Sequence, residues 1–129
     1  MLHTDKPHLQ IDYDPALCCV VHTWRGHCTE DDYRQAMYRC LELLYQTEAR
    51  GLIVDLRAAA HDHWLEDHWT AETWFPELLA TDVQKLAVVA ASPPNTAPHV
   101  FPASGDALLT GRYFPTLGEA RHWVAQRGV

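Results

Sequence analysis

The sequence predicts an α/β fold, and three features of the chain support this prediction. Residues 51–57 place four apolar residues in a run of five behind a glycine, which is typical of a strand buried on both faces of a parallel sheet. A segment with helical spacing precedes this run, and an aromatic-rich segment follows it. The N-terminal residues alternate in polarity around a turn pair, as a β-hairpin does. We therefore expect the run at 51–57 to be the central strand.

Length and composition predict one domain, spanning residues 1–129. Hydrophobic residues make up 47% of the chain and the formal net charge is −7 with His neutral, which argues against non-specific binding of nucleic acid or of anionic membranes. The four Cys form no C-x-x-C pair and are interpreted as buried, reduced thiols. The sequence shows neither a signal peptide nor an apolar run long enough to insert into a membrane, so we expect a cytoplasmic protein.

The first half predicts a hairpin followed by a helix. Residues 8–13 alternate as a half-buried strand, Asp14-Pro15 favours a turn, and residues 16–24 form the second strand, which Gly26 ends. Thr29 and Asp32 are spaced as a capping box for a helix whose apolar residues recur at helical spacing. Gly51 is the expected left-handed residue that ends this helix.

The second half predicts two further helices and two further strands. A helix over residues 64–80 is kinked or interrupted at Pro76, and residues 85–90 form another buried strand. Residues 92–105 hold four Pro and predict a long surface loop, followed by a short helix at 106–110 that Gly111 stops. Residues 112–114 form the last strand. Thr116 and Glu119 cap a final helix that buries Trp123 and ends at Gly128.

Several short motifs, taken in this order, resemble a known family. They are Trp24-Arg25-Gly26, residues 29–34, residues 52–57, Trp74-Phe75-Pro76, residues 85–89, and Phe114 with residues 119–123. Together they cover nearly the whole chain and resemble the SpoIIAA-like family, a group of STAS/SEC14-type domains. The resemblance implies a four- to five-stranded mixed sheet with helices packed on it and no inherited chemistry.

The resemblance also bears on regulation and ligands. Regulatory STAS proteins carry a phosphorylatable Ser or Thr just after the strand that matches residues 51–57, but residues 48–69 of this chain hold no Ser, Thr or Tyr. A phosphoswitch needs a hydroxyl to carry the added charge, so the sequence predicts a module without that site. The SEC14 comparison implies a groove for a small apolar ligand.

We expect the binding surface where the central strand meets the start of the second long helix, since open α/β sheets bind ligands at the carboxyl ends of their strands. The predicted ligand- or partner-binding residues are Asp55, Arg57, His61, His63, Trp64, His68 and Trp69. Asp55 and Arg57 could bind a polar ligand, with Arg57 as a forked donor; the alternative is an internal ion pair or a surface contact to the neighbouring loop. The tryptophans beside His and Arg are typical of interface anchors, for a protein partner or for a homodimer.

An alternative function is a small metal-dependent enzyme that uses His61, His63 and His68. Imidazoles with interspersed carboxylates suit a divalent metal. The competing interpretation of this stretch is a polar helix start, with its acids placed favourably at the helix dipole. No nucleophile accompanies the cluster, so we predict a non-enzymatic protein with no catalytic residue, metal or cofactor. Nine His also suggest an interaction that responds to mildly acid pH.

Overall fold

The computed structural model describes residues 3–6, 9–26, 29–59, 69–90 and 109–126, with residues 3–6 and 71 described by their backbone. Its architecture is α/β, as predicted. The strands are β1 His3–Lys6, β2 Leu9–Asp14, β3 Cys19–Gly26, β4 Gly51–Ala59, β5 Lys85–Val89 and β6 Thr110–Phe114. The helices are α1 Glu30–Thr47, a π-helical segment Thr70–Trp74 that continues into α2 Phe75–Leu79, and α3 Leu117–Ala125.

The strands form one mixed sheet in which spatial order equals chain order, β1-β2-β3-β4-β5-β6. The β1–β2 and β2–β3 pairs are antiparallel, and the pairs from β3 to β6 are parallel. The five predicted strands are confirmed, and the short strand β1 extends the hairpin edge. The second hairpin strand begins at Cys19 rather than at residue 16, because Asp14 Oδ1 accepts hydrogen bonds from the amides of Ala16 and Leu17 and holds them in the turn.

The central strand β4 supplies both cores of the protein by alternation of its side chains. Leu52, Val54 and Leu56 face α1 and α2 in the larger core. Ile53 faces the smaller core under α3, together with Trp123. The prediction that this strand is buried on both faces is therefore confirmed.

Helix α1 begins as predicted but ends differently. Thr29 caps it by accepting a hydrogen bond from the Asp32 amide at 3.1 Å. The left-handed residue at its end is Glu48, with φ of 54°, so the prediction for Gly51 was wrong. Gly51 opens β4, where an added Cβ would lie 2.5 Å from Val124 Cγ1. A glycine stands there because α3 packs directly on the strand.

The second helical region contains a π-helical segment that the sequence did not predict. The Phe75 amide donates to Thr70 O, one residue farther back than in an α-helix. Pro76 follows directly, so the residue without an amide donor lies where the helix passes from π to α geometry. The proline is thus accommodated by the wider turn before it. The predicted helix residues 64–68 lie outside the described residues.

The C-terminal strand and helix follow the prediction with two corrections. Gly111 lies inside β6 and does not stop a helix there, and α3 ends at Ala125 rather than near residue 128. Thr116 caps α3 by accepting from the Glu119 amide, as predicted. The loop predicted at 92–105 and most of the short helix at 106–110 lie outside the described residues. Among the helices that the structure describes, none combines the length and the apolar character needed to cross a membrane.

Candidate functional site

Asp55 and Arg57 form an ion pair at the carboxyl end of β4. The Arg57 Nε and Nη2 atoms donate to the two Asp55 carboxylate oxygens at 3.0 and 2.8 Å, and the Arg57 amide donates to Oδ1 at 3.1 Å. The Asp55 side chain is 7% exposed and that of Arg57 is 40% exposed. Hydrogen bonding to Asp55 raises the pKa of Arg57. This geometry is the internal ion pair that the sequence left as the alternative to a ligand site.

The ion pair lies at a shift in the register between β3 and β4. Thr23 pairs with Asp55 and Arg25 pairs with Ala58, so that two residues of β4 lie opposite Trp24. A bulge bends its strand and redirects side chains. Arg57 is one of the two residues in this irregular stretch, and its guanidinium contacts the Asp55 carboxylate.

The described site residues do not share one face of the sheet. Asp55 alternates with Val54 and Leu56, so it lies on the α3 face, whereas Trp69 packs against the core under α1. Because strand order follows chain order, the parallel strands contain no point where the order reverses, and such reversals are where open α/β sheets form ligand crevices. The expected crevice beside Asp55 therefore has no topological basis among the described strands.

Trp69 lies in a cluster of side chains from α1. Its ring meets Tyr33 edge-on at 6.0 Å between centroids and Tyr38 edge-on at 5.5 Å. The Arg34 guanidinium carbon lies 5.3 Å from the Trp69 ring centroid. We call these four residues the aromatic surface. Edge-to-face pairs contribute about 0.5–1.5 kcal/mol each beyond area burial, so these contacts favour the observed arrangement of the cluster.

The aromatic surface is anchored to the protein interior. The Tyr33 ring stacks on Trp24 at 5.4 Å, and Trp24 in turn lies 4.8 Å from the buried His22 ring. The Tyr33 hydroxyl is hydrogen-bonded to Thr70 Oγ1 at 2.5 Å, which ties α1 to the π-helical segment. A continuous column of rings therefore runs from the core to Trp69.

Tyr38 is the solvent-facing part of this surface. It is 51% exposed, although it contacts Trp69, and Tyr45 on the same helix is 50% exposed. Tyr45 makes no ring contact with any described residue. The two tyrosines thus have equal exposure but different surroundings.

Sequence reasoning assigned Trp69 to the surface but missed Arg34 and Tyr38. Their spacing of four residues places them on the same side of α1, and Tyr38 falls outside the predicted apolar stripe. An exposed aromatic beside an arginine on a helix was the available signal.

The remaining predicted residues, His61, His63, Trp64 and His68, lie outside the described residues. Within the described ranges, no group of three or more His, Cys, Asp or Glu side chains is placed to hold a metal ion. Burial raises the pKa of the Cys19 thiol to about 12 and raises that of Cys40, so neither is a ready nucleophile.

Comparison with known proteins identifies no relative of this chain. No family model, no curated protein and no solved structure matches the chain.

Proposed function

We propose that the chain is a non-enzymatic SpoIIAA-like, STAS-type module that binds a protein partner through the aromatic surface of Tyr33, Arg34, Tyr38 and Trp69. The order of the sequence motifs and the mixed sheet with helices on its faces support the family part of this proposal. The absence of Ser, Thr and Tyr from residues 48–69 supports binding without the STAS phosphoswitch.

The single observation that carries the binding role is the packing of Trp69 against Tyr33 and Tyr38 beside the Arg34 guanidinium. Tryptophan, tyrosine and arginine are the residues most enriched in the energetic centres of protein interfaces. They contribute large contact area and lose little side-chain entropy when neighbours already hold them. The surface is preorganised in this sense.

The position of the surface also suits a docking role. It sits where α1 meets the π-helical segment, and such segments occur often at functional sites. The Arg34 head group pairs with Glu30 at 2.6 Å, so its charge is balanced within the helix. We therefore expect the partner to present an apolar side chain to Tyr38 and Trp69 rather than an acidic cluster.

Capture from cell extract, quantified by mass spectrometry, tests this proposal with variants that change one ring each. Tyr38→Ala and Trp69→Ala should each reduce capture of the specific partner about tenfold or more, as expected for loss of a central anchor. Tyr45→Ala is the matched control. Tyr45 is as exposed as Tyr38 and lies on the same helix, but it is roughly 10 Å from Tyr38 along the helix axis. Equal capture by all four proteins would reject the surface.

Sedimentation equilibrium with the same variants distinguishes a second copy of this chain from another protein. If the partner is a second copy, wild type and Tyr45→Ala should associate while Tyr38→Ala and Trp69→Ala remain monomeric. If all remain monomeric, the capture experiment alone decides. Circular dichroism of each variant separates lost binding from lost folding.

A further inference from the structure

A groove of about 650 Å³ lies between strand β6 and helix α3. It is on the α3 side of the sheet, away from the aromatic surface. Its lining includes Arg112, Phe114, Pro115, Gly118, His122 and Trp123. The groove is largely open to solvent, and its volume is within the range of about 300–1,000 Å³ that small-molecule sites occupy.

Arg112 is the one arginine that lines this groove. Its guanidinium carbon lies 5.4 Å from the Phe114 ring centroid and 5.6 Å from that of Trp123. Arg112 is exposed, and among the described residues it forms neither a hydrogen bond nor an ion pair through its side chain. Glu119 also lines the groove but does not pair with it. The rings hold the arginine in place while its donors stay available.

Most of the other described cations are already paired within the protein. Four described arginines each pair with a carboxylate, namely Arg34, Arg39, Arg57 and Arg121. Lys85 also lies over the Trp123 ring, at 5.2 Å, but its Nζ donates to the carbonyls of Trp123 and Gln126 at the end of α3. No carboxylate or carbonyl among the described residues takes up the donors of Arg112. Arg50 shares this lack of a partner, but of these two only Arg112 is held over aromatic rings.

Gly118 leaves the helix side of the groove open. A Cβ added at this position would meet no atom within 4 Å. The space beside it is therefore free for a ligand, and a larger side chain there would enter the groove without pressing on the protein.

We propose that this groove binds a small organic anion, a carboxylate or phosphate monoester attached to a flat apolar body. The anionic group accepts hydrogen bonds from Arg112, whose planar fork matches both anions. The apolar body lies against Phe114 and Pro115, in the space left by Gly118. On a chain with a net charge of −7, an arginine without a carboxylate partner gives the groove its preference for an anion.

Isothermal titration of the full chain with three naphthalene probes tests the ligand class. We expect 1-naphthoate, 1-naphthyl phosphate or both to bind, with affinity that falls as salt is added, and 1-naphthol to bind about tenfold more weakly or not at all. The relative affinity of the two anions shows whether the group recognised is a carboxylate or a phosphate. Failure of both anions to bind, or equal binding of 1-naphthol, overturns the proposal.

Three variants test the place of binding. Arg112→Gln should weaken the anion about tenfold or more, and Gly118→Leu should block it by filling the groove. Arg39→Gln makes the same change in net charge on α1 and should leave the affinity unchanged. Anion binding that survives either groove variant, or that falls equally in Arg39→Gln, overturns the proposal. Because Arg112 and Gly118 are absent from the aromatic surface, partner capture should be unaffected by their substitution.

Discussion

Replacement of the buried His22 by leucine should change how the stability of the protein depends on pH. His22 is fully buried in β3 between Ile11 of β2 and Val54 of β4. Among the described residues, neither of its ring nitrogens has a hydrogen-bond partner. Burial lowers the pKa of His22 from 6.5 to about 3, because the protonated ring would lose its hydration without compensation.

The sign and size of the effect follow from this pKa. Below pH 6.5 the unfolded chain binds a proton at His22 that the folded chain does not bind until about pH 3. The free energy of unfolding therefore falls by about 1.4 kcal/mol for each pH unit within that window. Between about pH 7.5 and about pH 4.5 the loss attributable to His22 is about 2.7 kcal/mol.

Urea unfolding followed by tryptophan fluorescence measures this loss. His22→Leu should be as stable as wild type or about 1 kcal/mol more stable near neutral pH, since it removes two unpaired buried nitrogens. At about pH 4.5 the variant should be more stable by roughly a further 2.7 kcal/mol. His122→Gln is the matched control, because it removes an imidazole from an exposed position on α3 rather than from the core. Parallel pH profiles for wild type and His22→Leu would refute the reasoning.

Three further predictions concern backbone and ion-pair geometry. Gly51→Ala should destabilise the fold by about 1–3 kcal/mol, because its Cβ meets Val124 Cγ1, and adding Val124→Ala should recover more than half of that loss. Glu48→Gly should stabilise the protein by about 1 kcal/mol, since Glu48 is left-handed with φ of 54°. Arg57→Gln should lower the free energy of unfolding by about 2 kcal/mol, because it leaves the buried Asp55 carboxylate without its ion-pair partner. Asp55→Asn should lower it by only about 1 kcal/mol, because the Arg57 side chain that remains reaches water.

Each of these predictions has a distinct contradicting result in denaturant unfolding. The first is wrong if the Val124 substitution adds to the Gly51 loss instead of offsetting it. A Glu48→Gly variant no more stable than wild type contradicts the second. The third is wrong if Asp55→Asn destabilises the protein as much as Arg57→Gln does.

The parts of the fold that the sequence predicted depend on neighbours along the chain. Thr29 and Thr116 cap their helices through amides three residues on, so local spacing was sufficient. The role of Gly51 depends on Val124, which lies far along the chain, and a helix end was the nearest local explanation for a glycine.

The candidate site was predicted only in part, because it too depends on contacts between residues that are distant along the chain. Both faces of β4 are apolar, so the sequence did not show that Asp55 and Trp69 lie on opposite sides of the sheet. Tyr38 was missed because its importance depends on contact with Trp69, and that contact requires α1 and the π-helical segment to pack together. Residue type predicted an aromatic anchor, whereas tertiary packing determines which rings surround it.

Photocrosslinking at single positions tests the central claim, that the aromatic surface binds a protein, most directly. A benzoylphenylalanine placed at position 38 keeps an aromatic ring beside Trp69, and the same residue at position 45 gives an equally exposed control on α1. We expect a discrete cross-linked product from position 38 and little or none from position 45. No product from position 38, or equal products from both positions, would contradict it.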